Sequence, residues 1–246
     1  MRWLLYNLRF LFPRGLVFTR TKFNGFWQDH VPERFIHDDI NDAVLEQFLD
    51  QQAEICKFAK KHPELGINPR AFLVFDDDVD QHLRYKVILD KIFFNGRHVK
   101  IFVLISSQYV KSLHPGVRSN VDIVFTFCQR SLLERQALAD QYLDAFPTDS
   151  VFQLLDNYAK IDQEKGFHQF VAVETRNLEG KDLKDTIYYG HAEEVPPFIL
   201  GCKEYWGKDI YQYQRDQLEK NKRMHKKPQR KSILLGPKPF HPKLKI

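Results

Sequence analysis

The chain has 246 residues and a mass of 29.3 kDa, enough for one α/β domain with a substantial core, or one domain and a tail. Its residues are 43% apolar and 28% charged, which excludes wholesale disorder. No internal repeat marks a solenoid, and no apolar run approaches the ~20 residues needed to span a bilayer. Cys56, Cys128 and Cys202 lie far apart with no CxxC spacing. That argues against a disulfide framework or a structural zinc site and for a reducing, intracellular compartment. Met1 to Phe12 is apolar, but Arg9 interrupts it and no small-residue cleavage site follows, unlike a signal peptide.

Net charge is +5, and it is unevenly spread. Arg215 to Ile246 holds 11 Lys and Arg against 2 acids, a local charge of +9, which leaves −4 on the remainder. A basic tail on an acidic body points to phosphate, as nucleic acid or an anionic surface.

In chain order, Met1 to Phe10 reads as the end of an amphipathic helix stopped by Pro13, and Gly15 to Thr19 as a short buried strand. Asn41 to Lys61 carries a helical period, with Asn41 or Asp42 as N-cap. Ala71 to Phe75 is a continuous apolar run, as expected of a central strand buried on both faces, and it ends in Asp76-Asp77-Asp78. Helical sequence from about Leu83 to Phe94 follows, then a turn at Asn95-Gly96. A second apolar run, Lys100 to Ile105, closes in Ser106-Ser107-Gln108. Val121 to Phe127 reads as a strand and Ser131 to Tyr142 as a helix. Phe170 to Val173 and Thr186 to Tyr189 read as two more strands. After Pro196-Pro197 an outlying helix, about Lys208 to Lys222, leads into a Pro/Lys-rich tail. Strands alternating with helices predict a mainly parallel sheet covered by helices, with ligands at the carboxyl ends of its strands.

Both polar clusters fall at such ends. Four apolar residues followed by two acids is the Walker B pattern. One carboxylate holds Mg²⁺, an ion that prefers oxygen ligands and keeps part of its hydration shell, while the next orients the attacking water. The same residues also read as Asp76-x-Asp78, the DxD spacing with which glycosyltransferases hold a divalent ion against a nucleotide sugar, or as a plain acidic turn. Gln108 reads as a polar group beside the phosphates or as a surface side chain. Arg118 and Arg97 read as arginine fingers or as solvated charges. Lys220, Lys222, Arg223, Lys226, Lys227, Arg230 and Lys231 read as a DNA contact, a nuclear-localisation signal or a solvated tail.

The order Phe72 to Asp77, Asn95-Gly96-Arg97-His98, a strand ending in Gln108-Tyr109, then Arg118 to Phe125 resembles the poxvirus-type genome-packaging ATPases, in the FtsK-HerA branch of the P-loop NTPases. Gly15 to Thr19, Thr21, His30-Val31-Pro32 and Phe35-Ile36 extend the likeness, which covers roughly residues 1–190. The resemblance implies a three-layer P-loop NTPase-like core over 1–195 and a C-terminal extension over 196–246 with a basic tail. It implies Asp76 as the metal carboxylate, Asp77 as the catalytic acid, Gln108 as sensor and Arg118, or else Arg97, as a finger acting across subunits. Mg²⁺ and ATP are the implied cofactors. The implied partners are double-stranded DNA, capsid or portal proteins and further copies in a ring, with no membrane. The implied location is a viral assembly site, in the host cytoplasm rather than the nucleus, or the virion.

The family's phosphate-binding loop, GxxxxGK[ST], does not occur in these 246 residues. The resemblance places it before Met1, together with a first strand lying between those at 101–105 and 121–127. A longer or split gene product, or a remnant that binds DNA without hydrolysis, would each account for that.

Overall fold

The computed structural model describes residues 1–76, 87–127, 129, 131–144, 146–165, 169–176, 183–209 and 215, with backbone alone over 158–165 and 183–184. Residues 1–207 form one compact unit. Residues 208–246 form a second, of which Lys208, Asp209 and Arg215 are described.

A parallel four-stranded sheet organises the first half. Its strands are β1 (Arg14–Thr19), β2 (Ile36–His37), β3 (Ala71–Asp76) and β4 (Ile101–Ile105), in the order β2-β1-β3-β4. The unbroken apolar run of β3 is explained by its place: Ala71 to Phe75 are at most 1% exposed, between two strands and two covering layers. One face packs Leu16, Phe18, Leu73 and Phe75 against helices α2 (Asp42–Lys61) and α3 (Val87–Asn95). The rings of Phe18 and Phe75 stack at 5.3 Å. Asn41 caps α2 through its Oδ1, which accepts from the amides of Ala43 and Val44. The predicted start of the α3 helix at Leu83 lies outside the described residues.

The other face is covered by α1 (Arg2–Leu8), by Phe12 and by the segment 198–206, which includes the short helix α8 (Lys203–Trp206). Leu200 and Cys202 donate their amides to His30 and Pro13, and the Tyr205 hydroxyl donates to the Gly15 carbonyl. The stretch read from sequence as the beginning of an extension at 196 therefore packs onto this unit through Trp206.

The second half is a three-stranded antiparallel sheet, β5 (Ile123–Thr126), β6 (Gln169–Glu174) and β7 (Ile187–His191), in the order β5-β6-β7. Helix α4 (Pro115–Arg118) precedes it, and α7 (Leu183–Thr186) lies between β6 and β7. Helices α5 (Leu132–Tyr142) and α6 (Thr148–Lys165) accompany it, and Leu138, Tyr142, Val151 and Leu155 close over Val171, Val173 and Ile187. The α6 helix and the two-residue β2 were missed in the sequence. Thr148 to Lys165 mixes its few apolar residues with many polar ones, and two residues are too short for a period to show.

Two stretches join the sheets. Trp3 of α1 packs on Phe170 of β6, while Phe12 stacks on Phe102 of β4. At one end Arg97 donates to the Asn120 carbonyl and to Asp122, just before β5. At the other the Val110 amide donates to Glu134 at the start of α5. The side chains of Phe102 to Ile105 are only half-buried and Ile123 is 53% exposed. Among the described residues, β4 pairs only with β3, and β5 only with β6.

Gly15 sits opposite Phe72, whose ring and carbonyl occupy the space a Cβ would need. Gly15→Ala is expected to destabilise the protein by about 1–3 kcal/mol through overpacking. Asn41→Ala is expected to cost about 1 kcal/mol through the lost cap. Denaturant melts of the two variants check both figures.

Candidate functional site

Parallel strands in register finish together. Thr19 pairs with Asp76 across β1 and β3, and the Ser106 amide donates to the Phe75 carbonyl just past β4. The carboxyl end of the sheet thus gathers Thr19, Asp76 and Ser106. Both carboxylate oxygens of Asp76 are engaged. Oδ2 accepts from the indole Nε1 of Trp27 at 2.8 Å, and Oδ1 accepts from the Ser106 hydroxyl at 2.7 Å. Hydrogen bonds to an ionised acceptor are worth about 1.5–3 kcal/mol each. Thr19, fully buried, shares a hydroxyl contact of 3.0 Å with Thr21. Met1 stands within electrostatic range of the Asp76 charge. The first turn of α1 therefore faces the same strand end.

This donor set suits a hard cation held partly by water. Among the described residues each Asp76 oxygen accepts one hydrogen bond and keeps a second lone pair, and the neighbouring groups are an indole and hydroxyls rather than thiols or imidazoles. No cluster of three or more metal-ligating side chains occurs among the described residues. A triphosphate fits less well, because the 246 residues include no phosphate-binding loop to cradle it.

The other predicted site residues are placed as follows. Asp77 and Asp78 lie outside the described residues, as do Lys220, Lys222, Arg223, Lys226, Lys227, Arg230 and Lys231. Gln108 follows β4 in an exposed turn, and no described contact joins it to Asp76; Ser106 makes that contact instead. Arg97 precedes β4. Ile101 pairs with Ala71, so Arg97 stands at the amino end of the strands, about 16 Å of strand from Asp76. It is held there by Asp122, which also accepts from Arg176 at 2.5 Å. Arg118 closes α4 before β5. It is half-buried, donates from Nη1 to the Leu113 carbonyl at 3.1 Å, and keeps its Nε buried without a partner. Among the described residues neither arginine makes a contact with Asp76.

The sequence reading passed over Trp27 and Ser106. Ser106 is the first polar residue after the β4 run, so register with Asp76 was a usable signal. Trp27 sits in a polar, glycine-containing loop, and a large aromatic residue there with nothing local to cover it was the available hint. A separate pocket of about 700 Å³ opens at the amino end of β1, between Arg14, Phe35, Phe48 and Tyr205, and includes none of the predicted site residues.

No protein-family model matches the chain. Its sequence is 29% identical over 215 residues to the uncharacterized protein 088R of invertebrate iridescent virus 3, covering 84% of this chain and 77% of that one. It is 27% identical over 231 residues to the uncharacterized protein L437 of Acanthamoeba polyphaga mimivirus, covering 89% and 78%. Among solved structures it is similar to B204, the DNA-packaging ATPase from Sulfolobus turreted icosahedral virus. That likeness has a TM-score of 0.47 and 16% identity, and covers 78% of this chain and 87% of B204.

The two arginines separate by stability. Arg97→Ala removes an exposed ion pair and is expected to cost at most about 1 kcal/mol. Arg118→Ala strips a half-buried stem and uncovers the Leu113 carbonyl, and is expected to cost about 1–3 kcal/mol. Thermal melts of the two variants decide it.

Proposed function

We propose that this chain is the Walker B part of a viral genome-packaging NTPase. In this reading Asp76 holds the Mg²⁺ of a bound ATP and Asp77 orients the attacking water. Gln108 responds to the γ-phosphate, and Arg118 or Arg97 serves a site on the neighbouring copy in a ring. When bound, Mg²⁺ would supply charge stabilisation to the transferring phosphoryl group. The basic tail would contact the DNA being moved, near the capsid or its portal, at a viral assembly site or in the virion.

The observation that carries the reading is Asp76 at the carboxyl end of a fully buried parallel strand, oriented by two neutral donors. Three further observations support it. The relatives reported above are viral proteins. Among the described residues neither arginine candidate contacts Asp76: Arg97 stands at the amino end of the strands and Arg118 is bonded to the Leu113 carbonyl, which is compatible with a role toward another copy. The outer edges of β4 and β5 are without a partner strand among the described residues, and Phe102 to Ile105 are only half-buried while Ile123 is exposed. In this reading the strand that carries the phosphate loop fits between them. The loop is supplied by a segment of polypeptide other than these 246 residues.

Two outcomes are expected. In the assembly that includes the phosphate loop, Asp77→Asn lowers ATP turnover by about 10²-fold or more and leaves nucleotide affinity within about twofold, as read by phosphate release and equilibrium binding. Undiminished turnover overturns the assignment. Deleting residues 216–246 is expected to abolish salt-dependent binding of duplex DNA. The seven basic residues at 220–231 limit the slope of log affinity against log salt to about −6. If affinity and slope survive the deletion, the tail is not the DNA contact. If DNA binding persists with no nucleotide effect in the loop-containing assembly, the chain is a non-hydrolysing DNA-binding subunit.

A further inference from the structure

Two tryptophans of this fold are almost wholly buried, and both have their indole N–H satisfied. Trp206 donates to the Leu200 carbonyl at 2.8 Å, the ordinary backbone solution. Trp27 donates to a carboxylate 49 residues away in sequence. Its backbone is pinned in a 3-10 turn, Trp27–Asp29, and its carbonyl accepts the amides of His30 at 2.9 Å and Val31 at 2.8 Å. Phe26 stands edge-on to its ring at 5.2 Å. The next layer is fixed as well: His30 contacts the Phe198 carbonyl through Nδ1 at 2.8 Å and stacks on the Phe198 ring. The indole is therefore a rigid donor. Ser106, whose amide is tied to the end of β3, is a second donor on the other oxygen.

A carboxylate at a strand end normally rotates among several orientations, and a cation that binds it must select one. Donors fixed by their surroundings remove that cost in advance. Trp27 and Ser106 occupy one lone-pair site on each oxygen. One lone-pair site on each oxygen remains for a hydrated cation.

We propose that Trp27 and Ser106 are positioning residues that hold the Asp76 carboxylate in a single orientation for a divalent cation. The inference rests on the reading of Asp76 as a metal carboxylate and assigns two residues which that reading leaves without a role. It also makes Trp27 a reporter: a cation at Asp76 draws charge from the acceptor of its N–H, while the N–H of Trp206 is unaffected.

The test uses Mn²⁺ as the probe on the whole chain, with free Mn²⁺ followed by electron paramagnetic resonance and the indole N–H signals by NMR. Sequential backbone and side-chain NMR assignment identifies the Trp27 signal, and Trp27→Phe checks it. Mn²⁺ is expected to broaden the Trp27 indole signal well before that of Trp206, and Mg²⁺ to shift it. Asp76→Asn is expected to abolish the binding. Ser106→Ala and Trp27→Phe are each expected to weaken it about tenfold, the usual lower figure for lost outer-shell support. If Asp76→Asn abolishes Mn²⁺ binding but Ser106→Ala leaves the affinity unchanged and the Trp27 signal does not respond, the positioning role falls and Asp76 stands. If the wild-type chain binds no Mn²⁺, or Asp76→Asn binds it equally well, both fall. The indole signal is read on the wild-type chain, and Ser106 lies at a half-buried strand end, so the outcome does not depend on Trp27→Phe folding.

Discussion

The register of three parallel strands governs what the candidate site can be. With Gly15 opposite Phe72 and Ala71 opposite Ile101, the carboxyl ends of β1, β3 and β4 arrive together. That arrival sets Ser106 against Asp76 and puts Thr19 on the near side. A slip of one residue would turn every side chain to the opposite face. It would break the stack of Phe18 on Phe75 and remove the acid from its donors. The glycine that permits the ring of Phe72 to lie across its neighbour thus supports a contact at the far end of the same strands. The packing of the core and the geometry of the carboxylate are fixed by the same pairings.

Much of this was legible in the sequence, for physical reasons. An unbroken apolar run such as Ala71 to Phe75 needs cover on both faces, and only a central strand of a helix-covered sheet provides it. Asn41 declared its cap because a short side-chain amide just before a helical period has few other uses. The position of Asp76 followed from the end of its strand. Its partners did not, since the indole that meets it comes from a loop with no period, 49 positions earlier in the chain. Gln108 drew attention by analogy with a family pattern, whereas the contact to Asp76 is made by the plainer Ser106, two residues closer to the strand. Arg118 was recognisable as a charge before a strand, but nothing in its neighbourhood indicated that Leu113 would hold it inward.

The two halves of the core are built on different logic. The first is parallel and buried on both faces. The second is antiparallel, with one face under α5 and α6 and several side chains near solvent, among them Tyr188 and Tyr189. They share α1 and Phe12 as a common cover, and Arg97 with Asp122 and Val110 with Glu134 as ties at opposite ends.

Among the described residues the outer edges of β4 and β5 have no partner strand, and that bears on how the chain behaves in solution. An open strand edge offers its amides and carbonyls to any extended segment that comes near, and natural proteins guard such edges with charge, proline or a bulge. Along β4 the residues from Ile101 to Ile105 include no charge and no proline, and β5 runs from Ile123 to Thr126 with none either. Nothing in these edges discriminates one strand from another. An edge of this composition carries no guard of its own against pairing with another copy, so what covers it bears directly on how the chain stays dispersed.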